Sequence, residues 1–260
     1  MKNEKQYFQI SSLEKGIKVL ELLADKQSLS VAQVAEHLGF NRTGSHRYLS
    51  TLRALGYVEQ DENARYALSF KVLELATGFL NRFEIRRIIR PYLQEISSQF
   101  NETVNFCFWE GEAVRLLDKI DSPKVLRTDP VIGTRMPAHC SSAGKSILAF
   151  LPPNELDAFM DACTFEVFTP NTISQREALE EELRITRARG YALDNEEWLR
   201  GIQCVAAPIF DYTGRPAYAI SVPAPSFRMT PEVTEQVQAK VREICSTISQ
   251  NLGAKAQIRA

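Results

Sequence analysis

Between residues 11 and 55 the apolar positions recur three and four apart, the spacing of one face of an α-helix. Leu13, Ile17, Leu20, Leu23 and Ala24 form the first series, and Ser11 with Glu14 reads as a capping box in front of it. Ser30 and Gln33 make a second box. It opens a short helix with Val31, Val34, Ala35 and Leu38 inside and Gly39 as its terminator. Asn41 is placed to cap a third helix running to about Leu55, where Gly56 stops it. The period then becomes strand-like: 57–59 and 65–68 read as two short strands around the turn Asp61-Glu62-Asn63-Ala64. Three helices and a hairpin in this order predict a winged helix-turn-helix.

Residues 69–90 carry Val72, Leu73, Leu75, Ala76, Phe79, Leu80 and Phe83 at helical spacing and end on Arg86-Arg87-Ile88-Ile89-Arg90. Pro91 punctuates this helix before another at 91–100. Strands are expected at 103–109 and 113–120 around Gly111, and a third at 126–128. Helices follow at 142–150, 154–162 and 175–189, the last with the box Ser174…Glu177 and Gly190 as terminator. Strands at 191–195, 203–210 and 217–222 come next, the last two joined by Asp211-Tyr212-Thr213-Gly214. An amphipathic helix from Pro231 to about Leu252 closes the series. Hairpin-linked strands with separate helices predict an α+β fold with an antiparallel sheet. The expected division is 8–69 for the winged domain, 70–89 for a linker helix and 90–254 for the α+β domain.

Composition narrows the classes. A 260-residue chain with 44% apolar and 24% charged residues can fill two cores and is not a disordered chain. No apolar run approaches the ~18 residues of a membrane span, and Met1-Lys2-Asn3-Glu4-Lys5 leads into no signal-peptide h-region, so a cytoplasmic protein is expected. Lys+Arg 31 against Asp+Glu 32 leaves a net charge of -1, so any nucleic-acid contact must come from a local patch. The five cysteines are spread out with no C-x-x-C, which speaks against a disulfide framework, a zinc finger or a thioredoxin motif.

Helix 41–55 supplies such a patch. At about 100° per residue, Ser45, Tyr48, Leu49, Leu52 and Leu55 share one side, and Thr43, His46, Arg47 and Ser50 the other. No acidic residue stands between Glu36 and Glu59, while Arg42, Arg47 and Arg53 do. An apolar back, a polar front and cations without carboxylates suit a helix in the major groove. Thr43 and Arg47 are candidates for base edges. Arg42, His46, Ser50 and Arg53 are candidates for phosphates, and Arg65 for backbone beside the wing. Gly44 and Ser45, at the helix start, are counted with the DNA-binding candidates; Gly44 either allows close backbone approach to DNA or is a weak helix start.

Further on, Ser141-Ser142-Ala143-Gly144 at a helix start has the small side chains and exposed N–H groups of an anion cradle; a simple helix cap is the other reading. Catalysis would need a nucleophile with a base, and Cys140 beside His139, or Cys204 with Asp194, is the best pair the chain offers. It contains no Walker A loop, no Gly-x-Ser-x-Gly elbow and no His-x-x-x-His, so an enzyme is not expected. His139, Cys140 and Cys204 are the one metal-like grouping. Adjacent side chains in a strand or loop point apart, so neither a metal nor a cofactor is assigned.

Several blocks together resemble the IclR-type transcriptional regulators. In the first half they are Ser12-Leu13-Glu14-Lys15-Gly16-Ile17, Asn41-Arg42-Thr43-Gly44-Ser45-His46-Arg47-Tyr48-Leu49 and Leu55-Gly56-Tyr57-Val58. In the second they are Pro137-Ala138-His139-Cys140-Ser141-Ser142-Ala143-Gly144-Lys145, Arg189-Gly190-Tyr191-Ala192, Asp194-Asn195-Glu196-Glu197 and Gly201-Ile202-Gln203-Cys204-Val205-Ala206-Ala207-Pro208. The resemblance covers roughly residues 10–253. It implies a winged DNA-binding domain, a linker helix and a GAF-like effector domain. The implied partners are double-stranded operator DNA, a small carboxylate metabolite, and a second copy in a homodimer or dimer of dimers. Carried over by position, the effector contacts fall on Ser142, Ala143, Asp194, Cys204 and Ser221, with Val125, Thr128 and Met136 as the apolar wall and Arg127 near the mouth. The chain departs from the family pattern at Gly44-Ser45, at Ala64 in place of a wing glycine, and at Pro223 in place of a serine. A DNA-binding architectural protein without an effector is the alternative.

Overall fold

The computed structural model describes residues 10–80 and 85–254. The chain divides into two compact units, residues 1–83 and 84–260. The division falls within the segment expected as a linker helix. Of that segment, 81–84 with Phe83 lies outside the described residues, as do residues 8–9 of the expected winged domain. No helix among the described residues is long and apolar enough to cross a membrane.

The first unit runs α1 (Ser11–Lys26), β1 (Ser28–Leu29), α2 (Val31–Leu38), α3 (Arg42–Ala54), β2 (Val58–Gln60), β3 (Tyr66–Leu68) and α4 (Phe70–Leu80). Ser30 and Gln33 form the reciprocal capping box, and Gly39 closes α2 at φ +66°. Asn41 caps α3 by accepting the Gly44 N–H at 2.6 Å. Ser11 is not a cap: it is the first helical residue, Ile10 precedes it without a side-chain bond, and Glu14 pairs with Lys18 instead. The two-residue β1 is an addition to the sequence reading. It pairs with β3, so the wing is a three-stranded sheet in the order β1-β3-β2. Val19, Leu23, Val34, Leu49, Leu52 and Tyr66 form the core of this unit. Leu55 is 54% exposed and not part of that face, because the helix has already ended there.

The second unit runs α5 (Ile85–Phe100), β4 (Val104–Trp109), β5 (Ala113–Ile120), β6 (Arg135–Pro137), α6 (Ser142–Leu148), α7 (Pro153–Ala162), α8 (Arg176–Arg189), β7 (Ala192–Asn195), β8 (Ile202–Phe210), β9 (Pro216–Pro225) and α9 (Pro231–Asn251). The six strands form one antiparallel sheet in the order β6-β5-β4-β9-β8-β7. Helices α5 and α9 pack together against strands of this sheet, and α6 packs against β7, β8 and β9.

Three expectations are corrected in this unit. Pro91 does not separate two helices; it lies inside α5. Proline there removes a helical hydrogen bond, at a cost of about 3 kcal/mol. Ile89, Leu93 and Ile96 on either side are fully buried, and three such side chains bring roughly 1.5–3 kcal/mol each. The expected strand 126–128 is irregular: Leu126 is exposed and the Thr128 carbonyl accepts the Thr103 hydroxyl at 2.9 Å. The strand pairing with β5 is β6, a few residues later. Ser174 does not cap α8, which begins after Gln175 with no side-chain cap.

Candidate functional site

Two features carry chemistry, one in each unit. In the first, α3 rests on Ser45, Leu49 and Leu52, all buried, and turns Arg42, Thr43, His46, Arg47 and Ser50 to solvent. The front is polar and basic, as its spacing predicts. Ser45 does not belong to it: the residue is 0% exposed and its hydroxyl donates to the Asn41 carbonyl at 3.2 Å. Gly44 is explained locally, since a Cβ there would lie 2.9 Å from the Asn41 Oδ1 that caps the helix. Arg53 reaches sideways and donates to Gln60 Oε1 on β2 at 2.7 Å. Arg65 does not project from the wing. Its guanidinium donates to the Ser28 carbonyl at 2.6 Å and to the Ser28 hydroxyl at 3.0 Å, which ties β1 to β3.

In the second unit a cavity of about 380 Å³ opens between the sheet and the start of α6. Arg127, Thr128, Met136, Ser142, Ala143, Asp194, Cys204, Ser221 and Pro223 all line it. Val125 does not: it is 99% exposed on the irregular loop. The sequence reading missed Asn105, Asp129, Pro130, Thr134, Trp198, Leu199 and Ile202, which complete the lining together with the cap residue Ser141. Asn105 had a legible signal, because it is the lone polar residue in the apolar run 104–109. Pro223 is tolerated in β9 because it lies beyond the point where β4 stops pairing with that strand.

Ser141 caps α6 by accepting the Gly144 N–H at 3.2 Å. Only the earlier first-turn amides, those of Ser142 and Ala143, are then left toward the cavity by helix geometry. Gly144 has a packing role, since a Cβ there would meet the Ala138 backbone at 2.4 Å.

Asp194 is 3% exposed, and its Oδ1 accepts the Glu197 N–H at 2.7 Å. Burial raises its pKa to about 7; the Glu197 N–H opposes the rise and the Glu197 carboxylate adds to it. Glu197 is also raised by burial, with Lys145 pulling the other way. Fully buried Lys145 bridges to Glu197 at 2.5 Å and approaches Glu182 at 3.8 Å. This buried pair holds α6 to the segment following β7, directly behind the cavity wall.

The thiols are not poised for nucleophilic chemistry. Burial pushes Cys204 and Cys140 up, and the Asp194 charge pushes them the same way. His139 is buried with its Nε2 at 3.0 Å from the Glu166 carbonyl, between Phe165 and Phe168, and burial lowers its pKa. Among the described residues no three His, Cys, Asp or Glu side chains converge as metal ligands do.

A solvent-facing basic helix on a helix-turn-helix scaffold, in one chain with a cavity-bearing α+β domain, defines a transcriptional regulator with a sensor domain. The family model for the bacterial transcriptional regulator IclR C-terminal matches residues 77–250, and that for the IclR helix-turn-helix domain matches 12–62. The chain belongs to the IclR family. It is 29% identical to the HTH-type transcriptional regulator XynR of Escherichia coli (strain K12), over 95% of this chain and 99% of that one. It is 32% identical to the transcriptional repressor IclR of the same organism, over 87% and 85%. The crystal structure of Thermotoga maritima IclR superposes with a TM-score of 0.85 and 31% identity, covering 94% of this chain and all of that one. The chain is therefore a DNA-binding regulator with a ligand-binding regulatory C-terminal domain, and not an enzyme. The architectural alternative without an effector is set aside.

Proposed function

We propose that this regulator is a homodimer that reads a palindromic operator through two copies of α3 and responds to a small organic acid held in the cavity of its second unit. The observation that carries the reading is the pairing, in one chain, of an exposed polar front on α3 with a cavity walled by Asp194, Ser221 and Arg127. Thr43 and Arg47 read base edges; Arg42, His46 and Ser50 hold phosphates. Arg53 joins them only if it leaves Gln60. Two-fold symmetry sets the half-sites about 34 Å apart. The exposed apolar residues Leu13 and Ile17 on α1, with Leu73 and Leu75 on α4, supply surface for a second copy.

Control requires that the acid bind one state of the dimer more tightly than the other, and by linkage operator DNA then alters acid affinity by the same factor. The test starts from the duplex best bound in a selection from random sequences. Arg47→Ala is expected to cost about 1–3 kcal/mol on that duplex and to relax discrimination at one position. Equal losses on selected and random duplexes would reassign Arg47 to phosphate. Trp198 lines the cavity, so its fluorescence reports acid binding while the labelled duplex reports DNA affinity.

A further inference from the structure

A second cavity, of about 460 Å³, lies along the edge strand β6, bordered also by the start of β5, the end of α7 and the loop that follows α7. Its volume falls in the range of small-molecule sites. It is a separate space from the first cavity, since the two linings have only Met136 and Trp198 in common.

Three aromatic side chains line it: Phe159, which is buried, Trp198, which is partly buried, and Phe168, which is exposed at the rim. His139 stands beside Phe168 with only 4% of its surface exposed. The Glu166 carbonyl, 3.0 Å from its Nε2, can only accept, so Nε2 carries the ring proton and Nδ1 the lone pair. Nδ1 makes no hydrogen bond among the described residues. Burial holds the ring below its ordinary pKa, against the pull of the Glu166 carbonyl and carboxylate, so the ring is neutral at neutral pH. A buried acceptor without a partner is costly, and this one calls for a donor.

Charge points the same way. Two carboxylates, Glu112 and Glu166, stand in the lining against one guanidinium, Arg135, which already pairs with Glu112 at 2.9 Å. The surplus is one negative charge, and it falls on Glu166, close enough to act on the His139 ring. Cys163 accepts the Phe165 N–H at 3.4 Å, and the Thr164 hydroxyl can accept as well as donate, so neither opposes a cation.

From this geometry we infer that the second cavity binds a small organic ammonium, with an N–H on His139 Nδ1, its charge beside Glu166, and an aromatic or apolar body among Phe159, Phe168 and Trp198. Aromatic faces attract a cation, and a charged donor makes a stronger hydrogen bond than a neutral one. A carboxylate ligand would bring no donor to His139 and would meet the surplus negative charge. The site is independent of what the first cavity holds.

The test titrates the full-length protein, by calorimetry and Trp198 fluorescence, with three probes that share one body. They are 2-phenylethylamine, which is protonated at neutral pH, 2-phenylethanol, which keeps a donor without the charge, and the N,N,N-trimethyl derivative of the amine, which keeps the charge without a donor. The primary ammonium is expected to bind about tenfold more tightly than the alcohol and about fivefold more tightly than the quaternary ion. Glu166→Gln, at an exposed position, is expected to bring the ratio of ammonium to alcohol affinity close to one. Phe168→Ala, also at an exposed position, is expected to weaken all three probes. No binding by the amine, an alcohol or a quaternary ion that binds as tightly as the primary ammonium, or an amine affinity that ignores Glu166→Gln would overturn the inference. So would a loss of amine binding in Asp194→Asn with Glu166→Gln unaffected, which would place the amine in the first cavity instead.

Discussion

Asp194 shows how one buried carboxyl links the site to stability. It ionises at about 7 in the fold, against 3.8 as its ordinary value. Between those values the unfolded chain has lost the proton and the folded chain keeps it, so stability falls as pH rises from about 4 to about 7 and stays low above. Asp194→Asn keeps an oxygen for the Glu197 N–H and removes the charge. Its advantage over the unaltered protein is expected to grow by roughly 2–3 kcal/mol from about pH 5 to about pH 8, one pKa unit being about 1.4 kcal/mol. Urea unfolding at both pH values measures this, and a pH-independent difference would refute it. Ala64 is a second informative residue. It stands at φ +58° in the wing turn, where the left-handed backbone costs an alanine about 1–2 kcal/mol. Ala64→Gly relieves that strain and adds about 0.5–1 kcal/mol of chain entropy cost. A net gain of about 0.5–1 kcal/mol is expected, seen as a raised Tm for the first unit. Asp194 was reachable in the sequence through the resemblance. Asn105 was not, although its isolation in an apolar strand marked it, because nothing local says which strand will run beside β4.

At the scale of elements, the same sequence pattern produced opposite outcomes. Ser30-x-x-Gln33 is a true capping box, while Ser11-x-x-Glu14 and Ser174-x-x-Glu177 are not. The pattern states that a box is chemically available. Whether it forms depends on which residue leaves the helical backbone conformation first, and the packing of the helix decides that. Pro91 repeats the lesson, since buried neighbours carry α5 through a residue that would end an isolated helix. Among the described glycines the closest approach is at Gly144, where α6 touches the backbone of Ala138. Backbone cannot yield as a flexible side chain does. Gly144→Ala is expected to cost about 3 kcal/mol or more and to weaken acid binding, because Ser142 and Ala143 would shift with the helix. The midpoint of urea unfolding and the Trp198 titration read the two effects, and an unaltered midpoint would show that α6 has room after all.

At the scale of the molecule, each unit has its own core. The first is built on Val19, Leu23, Val34, Leu49 and Leu52, the second on the sheet with Ile147, Leu148 and Leu179. Residues 84–260 made alone are accordingly expected to fold, with one cooperative thermal transition and the acid affinity of the full chain. A non-cooperative melt would mean that the second unit depends on the first. Recognition helix, wing hairpin, glycine terminators and α+β class were all legible along the chain, because helical and strand periods, caps and turns depend on residues a few positions apart. The cavity was not. It exists because β4 lies against β9, which sets Asn105 beside Ser221 from more than a hundred residues away. Burial on both faces of the sheet makes that pairing the stable one. The same long-range packing sealed Lys145 onto Glu197 and turned Arg65 away from the wing surface. Such outcomes belong to the collective removal of apolar surface from water, which no short window of sequence contains.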